Sequence, residues 1–317
     1  MSRHSTSRSK RAKTRTSRSP HTSHSERMSR SERTLGGGGP HPGFDQHFLT
    51  RESTARKLAE LADIQPTDLV YEFGAGEGMI TRHLVRQARR VVAYEFDRDL
   101  AGGLQKIARW IPSLEIVQED CRRLRKFESG SKLVATLPFG ITADVARKIT
   151  VPGNSPYKSV LIVQKEAALK FAGRPDQTRF SLLAYPWFSI KVLQDLDAHE
   201  FSPRPGVVCT IMVITRRMEP LIAANESRDY GTFVKQVHSD GRADIRNSLK
   251  AVWSRQQIFE ALTELGIDPD MRASDLPATL WIALFRQGRN SSRREQFAVH
   301  PPNFEPNPPP ADHCECD

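Results

Sequence analysis

Between two polar ends, short apolar runs alternate with segments in which apolar residues recur at helical spacing. Positions 55, 58, 59, 61 and 62 are apolar, which predicts an amphipathic helix over 54–62. Strands that alternate with helices predict a mostly parallel sheet covered by helices on both faces. The pattern predicts strands at 68–73, 90–96, 114–118, 132–137 and 158–164, and further helices at 79–88, 98–110 and 141–150.

After this alternation the pattern changes twice. The segments 181–192 and 206–216 are strand-like and no helical pattern lies between them, which predicts an antiparallel hairpin at the end of the sheet. Helical spacing then dominates the rest of the centre. It predicts helices at 228–238, 242–253, 255–265 and 275–286.

The two ends of the chain differ in composition from its centre. Residues 1–43 hold ten basic and two acidic residues, a net charge of +8, and after Met1 only Met28 is a large apolar residue before Leu35. Such a segment buries too little apolar surface to offset the entropy of ordering it. The Pro-rich stretch near the C-terminus has the same character. We therefore predict a disordered basic tail at 1–43, an α/β domain at 44–218, a helical domain at 219–288 and a disordered tail at 289–317.

Composition excludes several classes of protein. The 317 residues carry a net charge of +10, and most of it belongs to the N-terminal tail. No run of about 18 apolar residues is present and no apolar stretch follows the N-terminus, so we expect neither a transmembrane helix nor a secretory signal. Four cysteines in a chain of this length indicate a reducing cytoplasm rather than a disulfide framework. His313, Cys314 and Cys316 lack further ligands at zinc-site spacing, so no metal is expected.

A glycine-rich turn, Glu72-Phe-Gly-Ala-Gly-Glu-Gly78, lies between a predicted strand and a predicted helix. Its glycines let the chain turn tightly and bring bare backbone against a ligand. The dinucleotide-binding motif does not fit, because Met79 follows directly and the third glycine comes one place early. A P-loop lysine is absent, and the acidic Glu77 disfavours a pyrophosphate. A loop of this kind suits a phosphate-free cofactor with a cationic end, such as S-adenosylmethionine.

Acidic residues follow the next two predicted strands. Glu95 ends the second strand, 19 residues after Gly76, where a carboxylate can accept hydrogen bonds from both hydroxyls of a ribose. Asp120 follows the third strand, at the edge where it would accept a hydrogen bond from an adenine amino group. Taken singly, each is better explained as a solvated loop acid. Three acids after three successive strands favour one cofactor site at the carboxyl edge of the sheet.

The fourth strand of this series ends in Thr136-Leu-Pro-Phe139. Main-chain carbonyls beside an aromatic ring at a strand end can hold a nucleobase. The ring stacks on the base, and the carbonyl oxygens accept hydrogen bonds from its exocyclic amine. Judged alone, Phe139 is as readily explained as a core residue.

Taken together, six segments resemble the ribosomal RNA adenine dimethyltransferases in order and spacing. The resemblance covers about 44–288 and leaves out both tails. Within that superfamily the chain most resembles the Erm methyltransferases, because of its basic tail, its short helical C-terminal part and its fourth motif. The segments are Phe44-Asp-Gln-His-Phe-Leu49, Glu72-Phe-Gly-Ala-Gly-Glu-Gly78, Tyr94-Glu-Phe-Asp97, Glu119-Asp120, Leu137-Pro-Phe-Gly-Ile-Thr142 and Phe201-Ser-Pro-Arg-Pro205.

The resemblance implies a Rossmann-like, S-adenosylmethionine-dependent methyltransferase sheet followed by a small helical RNA-binding domain. It implies methyl transfer to N6 of one adenine in the peptidyl-transferase region of 23S rRNA, which confers resistance to macrolides, lincosamides and streptogramin B. The expected substrate is protein-free or nascent 23S rRNA, and we expect a cytoplasmic monomer without membrane contact. The alternatives are a small-subunit rRNA adenine dimethyltransferase and a non-catalytic RNA-binding relative.

Site residues follow from the same resemblance. Thr136, Leu137, Pro138 and Phe139 would be catalytic, with Phe139 stacked on a flipped target adenine. The remaining assignments concern the cofactor, to whose binding Thr136 would also contribute. Gln46, Phe48 and Leu49 would lie at its entrance, Glu72, Gly74 and Gly76 under its methionine part, Glu95 at its ribose, and Asp120 with Cys121 at its adenine.

Two positions depart from the family pattern. Thr136 stands where the family has asparagine, and Ala167 stands where an aromatic residue often follows the fifth strand. A hydroxyl lacks the donor–acceptor pair of an amide, so activity would depend on the backbone carbonyl of Leu137. A second aromatic ring against the target base is either missing or supplied by Phe171 or Phe180. These departures concern the rate and the number of methyl groups transferred, and they leave the fold prediction unchanged.

Overall fold

A computed structural model describes residues 46–239 and 243–290, apart from the Asn290 side chain. The predicted N-terminal tail and residues 291–317 of the predicted C-terminal tail lie outside the described residues, as do Phe44 and Asp45 of the first motif. Within the described ranges, no helix is long and apolar enough to cross a membrane.

The strands form one large sheet and one small one. In chain order they are β1 (Phe48–Leu49), β2 (Leu69–Phe73), β3 (Arg90–Tyr94), β4 (Leu114–Val117), β5 (Lys132–Thr136), β6 (Lys158–Gln164), β7 (Phe188–Leu196), β8 (Phe201–Ser202) and β9 (Cys209–Arg216). The large sheet has the order β4-β3-β2-β5-β6-β9-β7, and β1 pairs with β8 in the small one. Strands β2 to β6 are parallel, whereas β9 is antiparallel to both of its neighbours. The predicted parallel sheet with a terminal antiparallel hairpin is confirmed.

Helices connect the parallel strands and then make up the C-terminal part. They are α1 (Glu52–Ala62), α2 (Thr81–Leu84), α3 (Arg98–Ala108), α4 (Thr142–Ile149), α5 (Lys165–Phe171), α6 (Arg179–Ala184), α7 (Ser227–Val237), α8 (Ile245–Leu249), α9 (Arg255–Glu264) and α10 (Ala278–Asn290). The α/β fold class with a C-terminal helical part is thus confirmed. The helix predicted over 79–88 is shorter in the structure, where only α2 is helical.

The prediction of a strand over 181–192 is wrong in its first half. Residues 179–184 form α6, and the strand begins only at Phe188. The Thr178 hydroxyl accepts a hydrogen bond from the Ser181 backbone N–H, and the Ser181 hydroxyl accepts one from the Thr178 N–H. This capping box starts a helix in an apolar run whose periodicity alone cannot separate a short helix from a strand. The short helix α5 was also not predicted.

Successive residues of the central strands point to opposite faces of the sheet, so two apolar clusters form. One cluster includes Val70 and packs under α1, and the other includes Tyr71. The second cluster continues without a break into the C-terminal helices. There the buried rings of Phe233 and Trp281 pack edge to face with centroids 6.0 Å apart. The sheet and the C-terminal helices therefore share one core.

Candidate active site

A cavity of about 220 Å³ opens at the carboxyl edge of the large sheet. It lies there because parallel strands end at the same edge and the loops that follow them meet. Residues from the ends of β2, β3, β4 and β5 line it, together with residues of the small sheet. Its lining includes Gln46, His47, Phe48, Leu49, Gly74, Gly76, Glu95, Phe96, Asp120, Cys121, Arg122, Thr136, Leu137, Pro138, Phe139 and Phe201.

The glycine-rich loop approaches its surroundings so closely that side chains are excluded. Gly74 has φ +75°, its N–H donates to the Tyr94 carbonyl at 2.9 Å, and an added Cβ would overlap the carbonyl oxygen of Thr136. Gly76 has φ +56°, and a Cβ there would lie 3.2 Å from the Phe48 ring. Both positions combine a left-handed backbone with close packing, which is why glycine is required.

Glu95 is buried, and its carboxylate organises the loop. Its Oε2 accepts a hydrogen bond of 2.8 Å from the Gly76 N–H, and its Oε1 accepts one of 2.9 Å from the Asp97 N–H. Burial raises the pKa of Glu95, although these backbone donors oppose the shift. The residue predicted to bind a ribose thus faces the cavity and also fixes the loop beside it.

Asp120 lines the cavity and carries a cationic neighbour. The Arg122 guanidinium donates to its carboxylate from Nε at 2.9 Å and from a terminal nitrogen at 2.7 Å. This pair holds the pKa of Asp120 below its usual range. Cys121 between them is buried, and burial raises the pKa of its thiol to about 12, so it is no nucleophile at neutral pH.

Glu72, which the resemblance places under the methionine part of the cofactor, is buried next to the glycine loop. It is 1% exposed, does not line the cavity, and neither carboxylate oxygen has a hydrogen-bond partner among the described residues. Thr81, whose hydroxyl is buried, lies beside this carboxyl group. Burial raises the pKa of Glu72 to about 8, and the nearby Glu95 adds to the shift. Glu72 therefore lies behind the glycine loop as a largely protonated carboxyl group at neutral pH.

At the end of β5, the Thr136 hydroxyl and the carbonyls of Leu137 and Pro138 have different surroundings. The Thr136 hydroxyl donates a hydrogen bond of 3.0 Å to the Gly74 carbonyl, so its proton is used to hold the glycine loop. The Pro138 carbonyl accepts from the Ile141 N–H at 3.2 Å. In the ranges 46–239 and 243–290, no hydrogen bond reaches the carbonyl of Leu137, which lines the cavity.

Phe139 is half-buried and its ring borders the cavity. The His47 ring lies against it, with centroids 5.3 Å apart and planes inclined by 33°. His47 Nδ1 donates to the Pro203 carbonyl at 2.8 Å, since a carbonyl oxygen can only accept. The small sheet of β1 and β8 therefore connects Phe139 to the segment 201–205.

Twelve of the thirteen predicted site residues line the cavity, and Glu72 does not. Among the lining residues that were not predicted, His47 and Phe96 stand inside motifs that carry the family resemblance. Arg122 has only its adjacency to Cys121 as a signal. The resemblance allows Phe171 or Phe180 as a second aromatic ring against the target base. Instead their rings pack against each other at 4.7 Å, and neither lines the cavity.

The residues present fit S-adenosylmethionine. Glu95 and Asp120 line the cavity together with the acidic residues Glu77 and Glu119, and the rest of the lining is mostly apolar. The bare loop at Gly74 and Gly76 leaves room that a Cβ would fill. Carboxylates suit the ribose hydroxyls, the adenine amine and the positive charges of this cofactor. Among the described residues, no group of three His, Cys, Asp or Glu is arranged to hold a metal ion.

Comparisons with known proteins point to one family. The model of the family described as ribosomal RNA adenine dimethylase matches residues 40–288. A ribosomal RNA small subunit methyltransferase A from Acaryochloris marina is 31% identical over 258 residues, covering 77% of this chain and 96% of that protein. An rRNA adenine N-6-methyltransferase from Aeromicrobium erythreum is 30% identical over 244 residues, covering 76% of this chain and 71% of that protein.

Solved structures show the same similarity. The crystal structure of the 23S rRNA methyltransferase ErmE superposes with a TM-score of 0.70 at 27% identity, over 76% of this chain and 99% of that one. A dimethyladenosine transferase from Plasmodium falciparum has the same fold, with a TM-score of 0.65 at 17% identity. The similarity covers 77% of this chain and 98% of that one.

Proposed function

The chain belongs to the ribosomal RNA adenine dimethylase family, and we propose that it methylates N6 of one adenine in the peptidyl-transferase region of 23S rRNA. The enzyme class follows from the family: it is an S-adenosylmethionine-dependent rRNA adenine-N6-methyltransferase. One observation carries the assignment of the site. A single cavity is lined by Glu95, Asp120, Leu137 and Phe139.

Each part of the cavity has a role in this proposal. S-adenosylmethionine, when bound, supplies the activated methyl group. Glu95 would hold the ribose, Asp120 the adenine amine, and the bare backbone of Gly74 and Gly76 the methionine part. Gln46, Phe48, Leu49 and Cys121 would close the cavity around them.

The target base would be held by the end of β5. Phe139 stacks on the adenine, which must leave its own stack at a cost of about a few kcal/mol. The Leu137 carbonyl accepts a hydrogen bond from the exocyclic amine. This bond favours a more tetrahedral nitrogen, whose lone pair is otherwise delocalised into the ring. Catalysis is then mostly positioning, and no strong base is needed because the methylated nitrogen is acidic and loses its proton to water.

The large-subunit target is supported by likeness to ErmE, whose structure superposes over nearly its whole length. The basic tail and the short helical C-terminal part are further support. Such a modification would confer resistance to macrolides, lincosamides and streptogramin B. The second candidate is a small-subunit rRNA target, and the 31% identity to a methyltransferase of that kind favours it.

In vitro methylation of protein-free 23S and 16S rRNA with labelled S-adenosylmethionine tests the proposal. We expect label in 23S rRNA alone, and mass mapping should place it on one adenine of the peptidyl-transferase region. A control transcript with guanine at that position should take up none. Label in 16S rRNA alone would establish the second candidate. No label at adenine in either RNA would contradict both.

A further inference from the structure

An exposed aromatic residue lies at the end of α3, away from the cavity. Trp110 is 87% exposed, and Ile107, one turn earlier, is 52% exposed. The basic residues Lys106 and Arg109 adjoin them and are exposed. We call these four residues the Trp110 patch.

The exposure of the patch follows from the way the helix ends. Ala101 and Leu104 form the buried face of α3. The Trp110 N–H donates to the Ile107 carbonyl at 3.0 Å, which closes a last turn on the opposite, solvent side. An indole left in water contributes nothing to the core, and large exposed apolar groups among polar ones mark interaction surfaces.

The charge around the patch is positive and uncompensated. Among the described residues, Lys106, Arg109 and the nearby Arg89 make no ion pair. Arg89 belongs to this surface because the turn after Trp110 leads to Ser113, whose carbonyl accepts from the Val91 N–H at 2.7 Å. The neighbouring acid Glu115 is neutralised by Arg90 at 2.5 Å. A polyanion is the partner that this charge favours.

The patch lies at the opposite edge of the sheet from the cavity. Helix α3 begins at Arg98, just after the cavity residues Glu95 and Phe96, and its 11 residues span about 16 Å at 1.5 Å per residue. A nucleotide on Trp110 cannot therefore be the target base. It must belong to another part of the same RNA.

We propose that the Trp110 patch is a second RNA-binding surface, which stacks an unpaired base of the substrate rRNA on Trp110. Lys106, Arg109 and Arg89 contact the flanking phosphates. An aromatic platform beside basic side chains is the arrangement that binds single-stranded nucleic acid. The proposal rests on the proposed function and extends it to RNA outside the methylated loop. A second copy of the chain fits less well, because two copies of this patch would repel each other.

Tryptophan fluorescence tests the surface without requiring methylation. The chain has four tryptophans, and Trp187, Trp253 and Trp281 are at most 9% exposed. We expect single-stranded RNA such as poly(U) to quench the exposed emission of the full-length protein and to shield it from iodide. The quenching should be absent in Trp110→Phe and should weaken as salt rises. Quenching that persists in Trp110→Phe, or no quenching in the wild type, would overturn the proposal.

Methylation kinetics on a long and a short RNA then test whether the Trp110 patch contributes to substrate binding. On full-length protein-free rRNA, we expect Trp110→Ala to raise KM about 10-fold while kcat and the Kd for S-adenosylmethionine stay unchanged. On a hairpin limited to the target loop, its KM should equal that of the wild type. Trp110→Phe retains a stacking ring and should lose less than Trp110→Ala. Equal KM values on the long RNA, or the same loss on the hairpin, would contradict a second RNA surface.

The same variants show whether the substitution disturbs the fold and whether the patch binds protein rather than RNA. An unchanged Tm of Trp110→Ala would confirm that the effect is local. If sedimentation instead shows a dimer that Trp110→Ala dissociates, or if deleting 289–317 alone exposes the indole to iodide, the patch binds protein and the proposal fails. If the wild type methylates neither rRNA, the proposed function fails. The quenching experiment still tests whether the Trp110 patch binds RNA, because it does not require methylation.

Discussion

The Thr136 hydroxyl donates a 3.0 Å hydrogen bond to the carbonyl oxygen of Gly74, and so ties the end of β5 to the glycine loop after β2. The departure from asparagine at this position therefore has a structural use. The hydroxyl orients the loop that borders the cofactor cavity, while the Leu137 carbonyl remains available for the target amine.

Replacement of Thr136 by valine tests this connection, because valine keeps the shape and removes the hydroxyl. The Gly74 carbonyl would lose its donor, at a cost of about 0.5–1.5 kcal/mol. We expect a roughly 3- to 10-fold loss of kcat/KM, measured by labelled methyl transfer. Thr136→Ser, which keeps the hydroxyl, should retain most activity. An unaltered Thr136→Val enzyme would show that the bond has no role in the site.

Gly74→Ala should be among the most damaging small substitutions in the chain. The new Cβ would overlap the Thr136 carbonyl, and φ at this position is +75°. Left-handed backbone costs a non-glycine residue about 1–2 kcal/mol even without the overlap. We expect calorimetry to show at least a 10-fold weaker affinity for S-adenosylmethionine.

The matched control for Gly74 is Gly102→Ala in α3, where a Cβ meets nothing within 4 Å. This variant should bind the cofactor as the wild type does and should be slightly more stable, since alanine favours the helix. Normal cofactor affinity in Gly74→Ala would refute the close-approach argument.

Stability should depend on pH through Glu72. Its pKa is raised from 4.5 to about 8 by burial, so the folded protein binds this proton more tightly than the unfolded chain does. The contribution of this bound proton to the free energy of unfolding is complete below pH 4.5 and is lost as pH rises through about 8. At about 1.4 kcal/mol per pKa unit, the loss amounts to a few kcal/mol.

Glu72→Gln removes this titration and keeps the shape of the neutral carboxyl group. Denaturant unfolding from pH 5 to pH 8 should show a smaller decline for the variant than for the wild type. Some decline should remain, because burial also raises the pKa of Glu95. Parallel curves for the two proteins would mean that Glu72 is ionised in the folded state.

Phe139→Ala should separate methyl transfer from cofactor binding. The ring borders the cavity and packs on His47, and in the proposed mechanism it contacts the target base only. We expect single-turnover methylation to fall about 10-fold or more while the Kd for S-adenosylmethionine changes less than 3-fold. Phe139→Tyr should keep most of the rate. Equal losses of both quantities would place Phe139 in the cofactor site instead.

Deletion of residues 1–43 should change how RNA binding responds to salt. The segment carries a net charge of +8, and each phosphate contact adds about 0.9 to the slope of log K against log salt. The truncated protein should show a shallower slope and should methylate the same adenine. A different methylation site would show that the tail contributes to target choice.

The amino-acid sequence by itself determined the alternation of the parallel strands with helices and twelve of the residues that line the cavity. It did so because these signals are local: a glycine-rich turn after an apolar strand, and an acid directly after each of the next two strands. The tertiary structure decided the rest. The bond from Thr136 to Gly74 spans 62 residues, and the contact of His47 with Phe139 needs the pairing of β1 with β8. Glu72 lies behind its loop, α6 forms where a strand was predicted, and Trp110 is left in water. All of these features depend on packing between distant segments, which the local pattern of apolar and polar residues does not predict.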